Sequence, residues 1–116
     1  MKRALGITAL CLIATGVAVA KIPSETTHAA IVQAMQARLR VPVIIVGPMT
    51  QEGVWILTRW DTGDPGGKGE AIVKQKGSTW NVVRSAGGTM ENVRYLESIG
   101  VPTPIAQALV KDMKKL

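Results

Sequence analysis

Between residues 52 and 88, β-branched and aromatic side chains gather in short stretches that glycine-containing turns separate. This pattern predicts three strands, at residues 54–60, 70–76 and 79–85. The β-branched run VPVIIV predicts an earlier strand at residues 41–46, which ends in a turn around Gly47-Pro48. Because the connections are short, we expect the four strands to form an antiparallel meander.

A helical pattern precedes the strands. Apolar residues recur at spacings of three and four after Ser24 and Thr26, either of which can cap a helix. Glu25 in the first turn and Pro42 beyond the last one fit the two ends. The pattern predicts one amphipathic helix that runs to about Arg40.

Two shorter helices are expected after the sheet. Thr89 can cap a helix over residues 90–99, which Gly100 would stop. Thr103 can cap a last helix that has Pro104 at its first position. Strands and helices that are segregated in this way indicate an α+β domain with the helices on one face of the sheet. A cystatin-like or NTF2-like arrangement is the closest analogy.

The first twenty residues have the pattern of an export signal. Lys2 and Arg3 precede an uncharged apolar stretch, and the sequence AVA at residues 18–20 is a small-x-small cleavage site. The stretch is shorter than the roughly 20 residues of a membrane span, and an uncleaved anchor is the alternative. We expect a cleaved signal peptide at residues 1–20, a single domain at 21–116, and a periplasmic or secreted protein.

Cysteine content and charge narrow the chemistry. The single cysteine, Cys11, lies inside the signal stretch, so the domain is expected to contain neither a disulfide nor a thiolate metal site. Removal of Lys2 and Arg3 lowers the formal net charge from +6 to +4. No basic stripe is interleaved with aromatic residues, so nucleic acid is not an expected partner.

The loop DTGDPGGKGE resembles a phosphate-binding loop only in composition. Lys68 is followed by Gly69 where the P-loop requires Ser or Thr. Asp61, Asp64 and Glu70 could contribute oxygens to a calcium ion, but they lack the spacing of an EF-hand loop. The pattern favours a connection between two strands, and Asp61, Asp64 and Lys68 are candidates for contact with a partner.

His28 and Met35 are the candidate ligands for a soft metal, because imidazole and thioether groups both suit copper. They are seven residues apart on one helical face, which separates them by about 10 Å along the axis. Other segments would have to contribute ligands to a shared ion. The alternative is that His28 lies near the helix start and Met35 fills core volume.

The tryptophans suggest a surface for a partner. Trp55 and Trp60 differ by an odd number, so they are expected to point to opposite faces of their strand. One of them is therefore expected to be partly exposed, next to the glycine loop, whereas Trp80 is expected in the core. No G-x-S-x-G elbow is present and only one histidine is available, so we do not expect an enzyme.

The C-terminal two thirds of residues 21–116 resembles a family of small exported bacterial proteins labelled copper uptake system-associated proteins. The likeness rests on WDTGD from Trp60, GSTWNVV from Gly77, the pair Gly87-Gly88, and LESIGVP from Leu96. It implies a shared fold and a context in copper handling. In the family the fourth strand ends in a cysteine-containing segment, whereas residues 83–86 here are VRSA.

Two functions are expected from these patterns. The first is an exported, non-enzymatic accessory or binding protein associated with copper handling. The alternative is an interaction module of the cell envelope that binds a protein or peptide through an exposed tryptophan and the glycine-rich loop, without a metal. A degenerate cystatin-like or NTF2-like enzyme with a pocket between sheet and helix is a third, weaker hypothesis.

Overall fold

A computed structural model describes residues 22–63 and 67–116 of the chain. In that part of the chain one helix precedes four strands, and two shorter helices follow them. The α+β fold predicted from the sequence, with this order of elements, is therefore confirmed. The signal peptide predicted at residues 1–20 lies outside the described residues.

The first helix, α1 (Glu25–Leu39), begins where the sequence predicts. The side chain of Ser24 accepts a hydrogen bond from the main-chain N–H of Thr27 at 3.2 Å. This bond satisfies one of the donors that the first turn of a helix leaves unpaired. The helix ends at Arg40, which adopts the left-handed conformation with φ of 57°, and Pro42 prevents its continuation.

The four strands form one antiparallel sheet in chain order, so β1 and β4 are its edges. The strands are β1 (Ile45–Glu52), β2 (Trp55–Asp61), β3 (Lys68–Lys76) and β4 (Thr79–Ala86). Tight turns at Gly53 and Gly77 connect β1 to β2 and β3 to β4, and both glycines have φ near +60°. Glycine adopts this conformation at the lowest cost. The predicted meander is confirmed.

β1 differs from its prediction. It starts at Ile45 and continues through Gly47-Pro48 to Glu52. The sequence pattern predicts a turn at Gly47-Pro48 instead. The pairing with β2 shifts between Val46 and Met49, so the chain passes the proline through an irregularity instead of leaving the sheet. A proline lacks the N–H that a central strand needs, but an edge strand or a bulge accommodates it.

Helices cover both faces of the sheet, and the expectation that they lie on one face is wrong. Consecutive residues of the two central strands are buried, as in the run Trp55-Ile56-Leu57 of β2. Successive side chains of a strand point to opposite faces. A continuous buried run therefore needs cover on both sides of the sheet.

Each face has its own apolar core. We call the first the α1 core; its buried residues are Ile31, Met35, Ile44, Val46, Met49, Ile56, Trp60, Ala71 and Val73. We call the second the C-terminal core; its buried residues are Trp55, Leu57, Ile72, Met90, Leu96, Val101, Ala106, Leu109, Val110 and Met113. The central strands contribute alternate residues to the two cores, which joins both helical layers to one sheet.

The two C-terminal helices are α2 (Val93–Ser98) and α3 (Thr103–Met113). The predicted caps are wrong for both. Asn92, not Thr89, caps α2 by accepting a hydrogen bond from the N–H of Tyr95 at 2.9 Å. Thr103 is the first residue of α3, and its hydroxyl contacts the carboxylate of Glu97 instead of capping the helix.

Within residues 22–63 and 67–116, no helix has the length and the apolar character that a membrane span requires.

Candidate functional site

The two candidate metal ligands occupy different environments. His28 is exposed on α1, and its Nε2 lies 2.9 Å from the main-chain oxygen of Val46. Because that oxygen can only accept, Nε2 carries the proton and donates. Met35 is fully buried in the α1 core. Among the residues that the structure describes, no group of three or more His, Cys, Asp or Glu side chains could hold a metal ion.

The predicted orientation of the tryptophans is confirmed, but the predicted exposure is wrong. Trp55 belongs to the C-terminal core and Trp60 to the α1 core, on opposite faces of β2. Their relative exposures are only 5% and 9%, because each face has its own helical cover. Lys74 lies over the Trp55 ring, 5.1 Å from its centroid, in a geometry that favours a cation–π contact. Trp80 is half-buried against the α1 core.

A pocket of about 500 Å³ opens at one end of the sheet. Here β2 ends, β3 begins, β4 ends, and β1 passes through its irregularity. Its walls include Arg59, Trp60, Asp61, Lys68, Gly69 and Glu70, and Gly47, Gly87, Gly88 and Thr89 complete them. We call it the sheet-end pocket. It is in the size range of ligand sites in proteins.

The sheet-end pocket brings together three of the predicted partner-binding residues, Trp60, Asp61 and Lys68. Trp55 is not among its lining residues and pairs with Lys74 toward the other end of the sheet. Asp64, the fifth predicted contact residue, lies outside the described residues.

Two pairs of opposite charges form the floor of the pocket. In the ladder between β2 and β3, Arg59 lies opposite Glu70 and Asp61 lies opposite Lys68. Alternation along the two strands puts all four side chains on the same face, the one that carries the C-terminal core. Cross-strand pairs of opposite charge stabilise a sheet modestly, and here they also give the pocket both signs of charge.

Gly69 allows Trp60 to form part of the pocket wall. The two residues are directly opposite in the ladder. A Cβ atom at position 69 would lie 1.9 Å from the carbonyl oxygen of Ala86 and 2.7 Å from Cζ2 of the Trp60 ring. Both distances are far below van der Waals contact, so only glycine lets the indole and β4 approach β3 this closely.

Glu70 is a buried carboxyl group, with 4% relative exposure. Its Oε1 accepts hydrogen bonds from the Thr89 hydroxyl, at 3.1 Å, and from the main-chain N–H of Met90. Its Oε2 is 3.4 Å from Nε of Arg59. These contacts satisfy the carboxyl group and explain the missed boundary of α2, since Thr89 and Met90 are bound to the sheet instead of starting the helix.

Arg59 joins Glu70 to a second carboxylate. Its Nη2 is 3.2 Å from Oε2 of Glu91, while its Nε faces Glu70. Burial, followed by a hydrogen bond with Glu91, raises the pKa of Glu70. The hydrogen bond with Glu70 lowers the pKa of Glu91, and Arg59 lowers it further. Burial thus favours the neutral form of Glu70, while Arg59 favours the charged form of Glu91.

This cluster has no local signature in the sequence. Glu70 and Glu91 are 21 positions apart and belong to different elements, so no local spacing links them. One signal was present in the sequence: Glu70 and Ile72 are two positions apart in a predicted strand, so they point to the same face, and the residues that follow Glu70 are apolar. A carboxyl group at an inward position needs a buried partner, and Arg59 is its direct neighbour across the ladder.

No protein-family model matches the chain significantly, and neither a curated protein nor a solved structure does. The chemistry of the site therefore has to be argued from its own residues. Both oxygens of Glu70 are engaged by protein donors, which suits a structural carboxyl group better than a general base. The sheet-end pocket offers two cations, an indole ring, and the main chain of four glycines.

Proposed function

We propose that this chain is an exported, non-enzymatic binding protein that holds its ligand in the sheet-end pocket. The proposal rests on one observation: Arg59, Trp60 and Lys68 all line the same open pocket, which has a volume of about 500 Å³. Ligand sites combine an apolar surface with a few well-placed polar groups. Trp60 supplies apolar surface from the α1-core face of β2, and Arg59 and Lys68 supply cations from the other face, at the end of the sheet where the pocket opens.

The rigidity of the pocket supports the same function. Arg59 is held by two carboxyl groups and Trp60 is packed against Gly69. A site whose side chains are fixed before binding loses little conformational entropy when a ligand enters. The partner class that we favour is a protein or peptide segment, as in the interaction-module hypothesis, with Trp60, Asp61 and Lys68 as contact residues.

The binding proposal is tested by NMR on residues 21–116, with a fragment set of small carboxylates, amines and neutral amides. At least one class should shift the main-chain signals of Gly69, Gly87 and Gly88 in a saturable way. The indole N–H signal of Trp55 reports from the other end of β2 and should stay in place. If no fragment class shifts the pocket signals, the proposal is wrong.

A matched pair of lysines sharpens the test. Lys68 and Lys76 are the first and last residues of β3, and both are exposed. Only Lys68 lines the sheet-end pocket. Lys68→Glu should change which fragments bind, whereas Lys76→Glu should leave the titration as in the wild type. Equal effects of the two substitutions would mean that surface charge, not the pocket, governs binding.

Export is tested separately, by expression of the full chain with its first twenty residues and mass analysis of the product. We expect a product that begins at Lys21, because signal peptidase cleaves after the AVA sequence. A product that retains its first twenty residues and sediments with membranes would support the anchor alternative.

Copper association is a second candidate, and one observation favours it. His28 is exposed while its Nε2 donates to a main-chain carbonyl. Metal-bound histidines are commonly oriented in this way, with the other ring nitrogen facing the ion. A competition titration with Cu(I) and Cu(II) tests it, with His28→Ala as the variant. Tight binding that His28→Ala removes would support a copper site, and wild-type binding weaker than that of the competing chelator would exclude direct ligation.

A further inference from the structure

Much of the acceptor capacity of the carboxyl groups in the sheet-end pocket is already engaged. Glu70 receives hydrogen bonds from Thr89 and Met90 at one oxygen and faces Arg59 with the other. Oδ1 of Asp61 accepts a hydrogen bond from the N–H of Gly63 at 2.7 Å. The Glu70 carboxyl group therefore has little capacity left for a donor on a ligand, and one of the two oxygens of Asp61 is engaged as well.

Donor groups, in contrast, are in excess. Arg59 uses Nε and Nη2 for its two carboxyl partners, and its Nη1 makes no hydrogen bond to another described residue. The Lys68 ammonium likewise has no ion pair within residues 22–63 and 67–116. Nε1 of Trp60 is buried and has no acceptor among the described residues. A buried N–H without an acceptor is uncommon and costly in a native protein.

We infer that the ligand of the sheet-end pocket carries a carboxylate, which binds between Arg59 and Lys68. This inference rests on the proposed binding function and specifies the ligand of the same pocket. A guanidinium that two carboxyl groups hold in place presents its remaining edge in a fixed direction. Planar carboxylates match that edge with two parallel hydrogen bonds.

The charge of the site favours a carboxylate over a phosphate. Glu70 and Glu91 already offset much of the charge of Arg59, and Asp61 lies opposite Lys68 in the ladder. The positive charge that remains is small and suits a single negative charge. A dianion would be repelled by Asp61 and Glu91, and like charges at short range are unfavourable.

The ligand must also have a body, since a carboxylate alone would fill little of the pocket. The main chain of Gly87 and Gly88 has left the β4 ladder, and a Cβ at Gly88 would meet no atom within 4 Å. An extended ligand chain can therefore approach the main chain there without a steric clash. Two sources fit this chemistry: the free C-terminus of a peptide and a small organic acid.

The test uses four probes with the isotope-labelled chain: N-acetyl-glycylglycine, its C-terminal amide, acetate and inorganic phosphate. We expect the free acid to shift the Arg59 and Lys68 side-chain signals and the Gly87 and Gly88 amides. Its affinity should exceed that of the amide at least tenfold. If acetate binds as tightly as the peptide acid, the ligand is a small acid; if acetate is much weaker, the ligand is a chain terminus.

Lys68→Gln should weaken the free acid at least fivefold, whereas Lys76→Gln at the other end of β3 should have no effect. The inference is overturned if the amide equals the acid, if phosphate binds more tightly, or if the Lys68 variant is neutral. Pocket binding by an amine or a neutral fragment in place of the acid would overturn only the carboxylate inference. Absence of any pocket shift, in these titrations and in the fragment set, would overturn the binding function as well.

Discussion

The two faces of the sheet are stabilised in different ways. Among the described residues, the α1 face buries no charged side chain, and its buried polar groups are the Thr58 hydroxyl, which donates to the carbonyl of Arg59, and the indole N–H of Trp60. Further polar contacts lie at its margins, where His28 and Arg38 bond to main-chain oxygens of Val46 and Val82. The other face combines the C-terminal core with the buried Glu70 and its partners. Apolar burial supplies most of the stabilisation on both faces. On the second face, however, the buried carboxyl group of Glu70 also needs its hydrogen-bond partners at fixed positions.

That difference determines how precisely the helices on each face are positioned on the sheet. An apolar helix face can shift on an apolar sheet at a modest cost. The segment between β4 and α2 cannot, because displacement of Met90 would leave a buried carboxyl group without its N–H donor. The ion cluster therefore fixes where the C-terminal helices begin, and with them the wall of the sheet-end pocket. Four substitutions test this contrast.

The largest loss is expected at the centre of the C-terminal core. Leu109→Ala should lower the free energy of unfolding by about 3 to 5 kcal/mol, because Leu109 is fully buried and the cavity cannot close completely. Urea denaturation measures the change. Lys111→Ala on the same helix is exposed and should stay within about 0.5 kcal/mol. A loss below about 1 kcal/mol for Leu109→Ala would mean that α3 adds little to the stability of the fold.

On the α1 face, an added side-chain atom should destabilise the packing, where on the other face a removed side chain does so. Gly69→Ala should destabilise by about 3 kcal/mol, because its Cβ would overlap a β4 carbonyl and the Trp60 ring. Gly88→Ala is the matched control: its Cβ meets no atom within 4 Å, so the change should be within about 0.5 kcal/mol. The same denaturation experiment compares them, and equal effects would contradict the close packing of Trp60 on Gly69.

The ion cluster predicts a pH dependence of the stability on the second face. The pKa of Glu70 is raised in the folded state, by burial and then by Glu91. Its stabilising contribution is therefore complete below the unfolded pKa, about 4.3, and is lost as the pH rises through the raised value. The pKa of Glu91 is lowered, so its contribution is present above the unfolded pKa and lost as the pH falls. The pair stabilises most near pH 4.

Glu70→Gln should remove the alkaline part of this dependence. The glutamine retains the oxygen that accepts from Thr89 and Met90, so we expect a loss of about 1 kcal/mol near pH 4. Above that pH the stability difference between wild type and variant should shrink, by on the order of 1 kcal/mol. Unfolding free energies from pH 3 to 9 measure this difference, and a constant difference would contradict the raised pKa of Glu70. Arg59, Glu91 and Lys114 are the charged groups whose contacts or fields act on the pair.

The smallest effect is expected for the bonds at the margin of the α1 core. Arg38→Ala removes an exposed hydrogen bond of 2.8 Å to the carbonyl of Val82, which should contribute about 0.5 to 1 kcal/mol. Amide hydrogen exchange at the end of α1 should increase, while exchange in α3 should be unchanged. A loss of more than 2 kcal/mol would show that polar contacts matter as much on this face as on the other.

Most of the fold followed from local patterns. Ser24 and the apolar spacing after it predicted α1, and Gly77 predicted the turn from β3 to β4. The course of β1 through Pro48 could not be predicted, because only its edge position allows a proline there. The cover on both faces had a sequence signal in the unbroken run Trp55-Ile56-Leu57, which alternation alone does not produce.

The site was harder to predict than the fold. Asp61 and Lys68 were predicted from the loop and line one pocket, whereas Trp60 was predicted from an exposure that it does not have, although it lines the same pocket. Arg59 and Glu70 were missed as site residues because their importance depends on strand register, which short turns determine only approximately. The interaction with Glu91 depends on how the segment after β4 returns to the sheet. That path is a tertiary property with no local pattern in the sequence.

The two edge strands, β1 and β4, affect how readily copies of the protein associate in concentrated solution. An open sheet edge is a template on which further strands can assemble into fibrils. Pro48 interrupts the row of N–H donors on β1 shortly after the exposed Ile45, and Arg38 occupies a carbonyl of β4. Addition of a further strand is hindered at both edges of the sheet. One proline ring and one guanidinium thus oppose edge-to-edge assembly of the sheet.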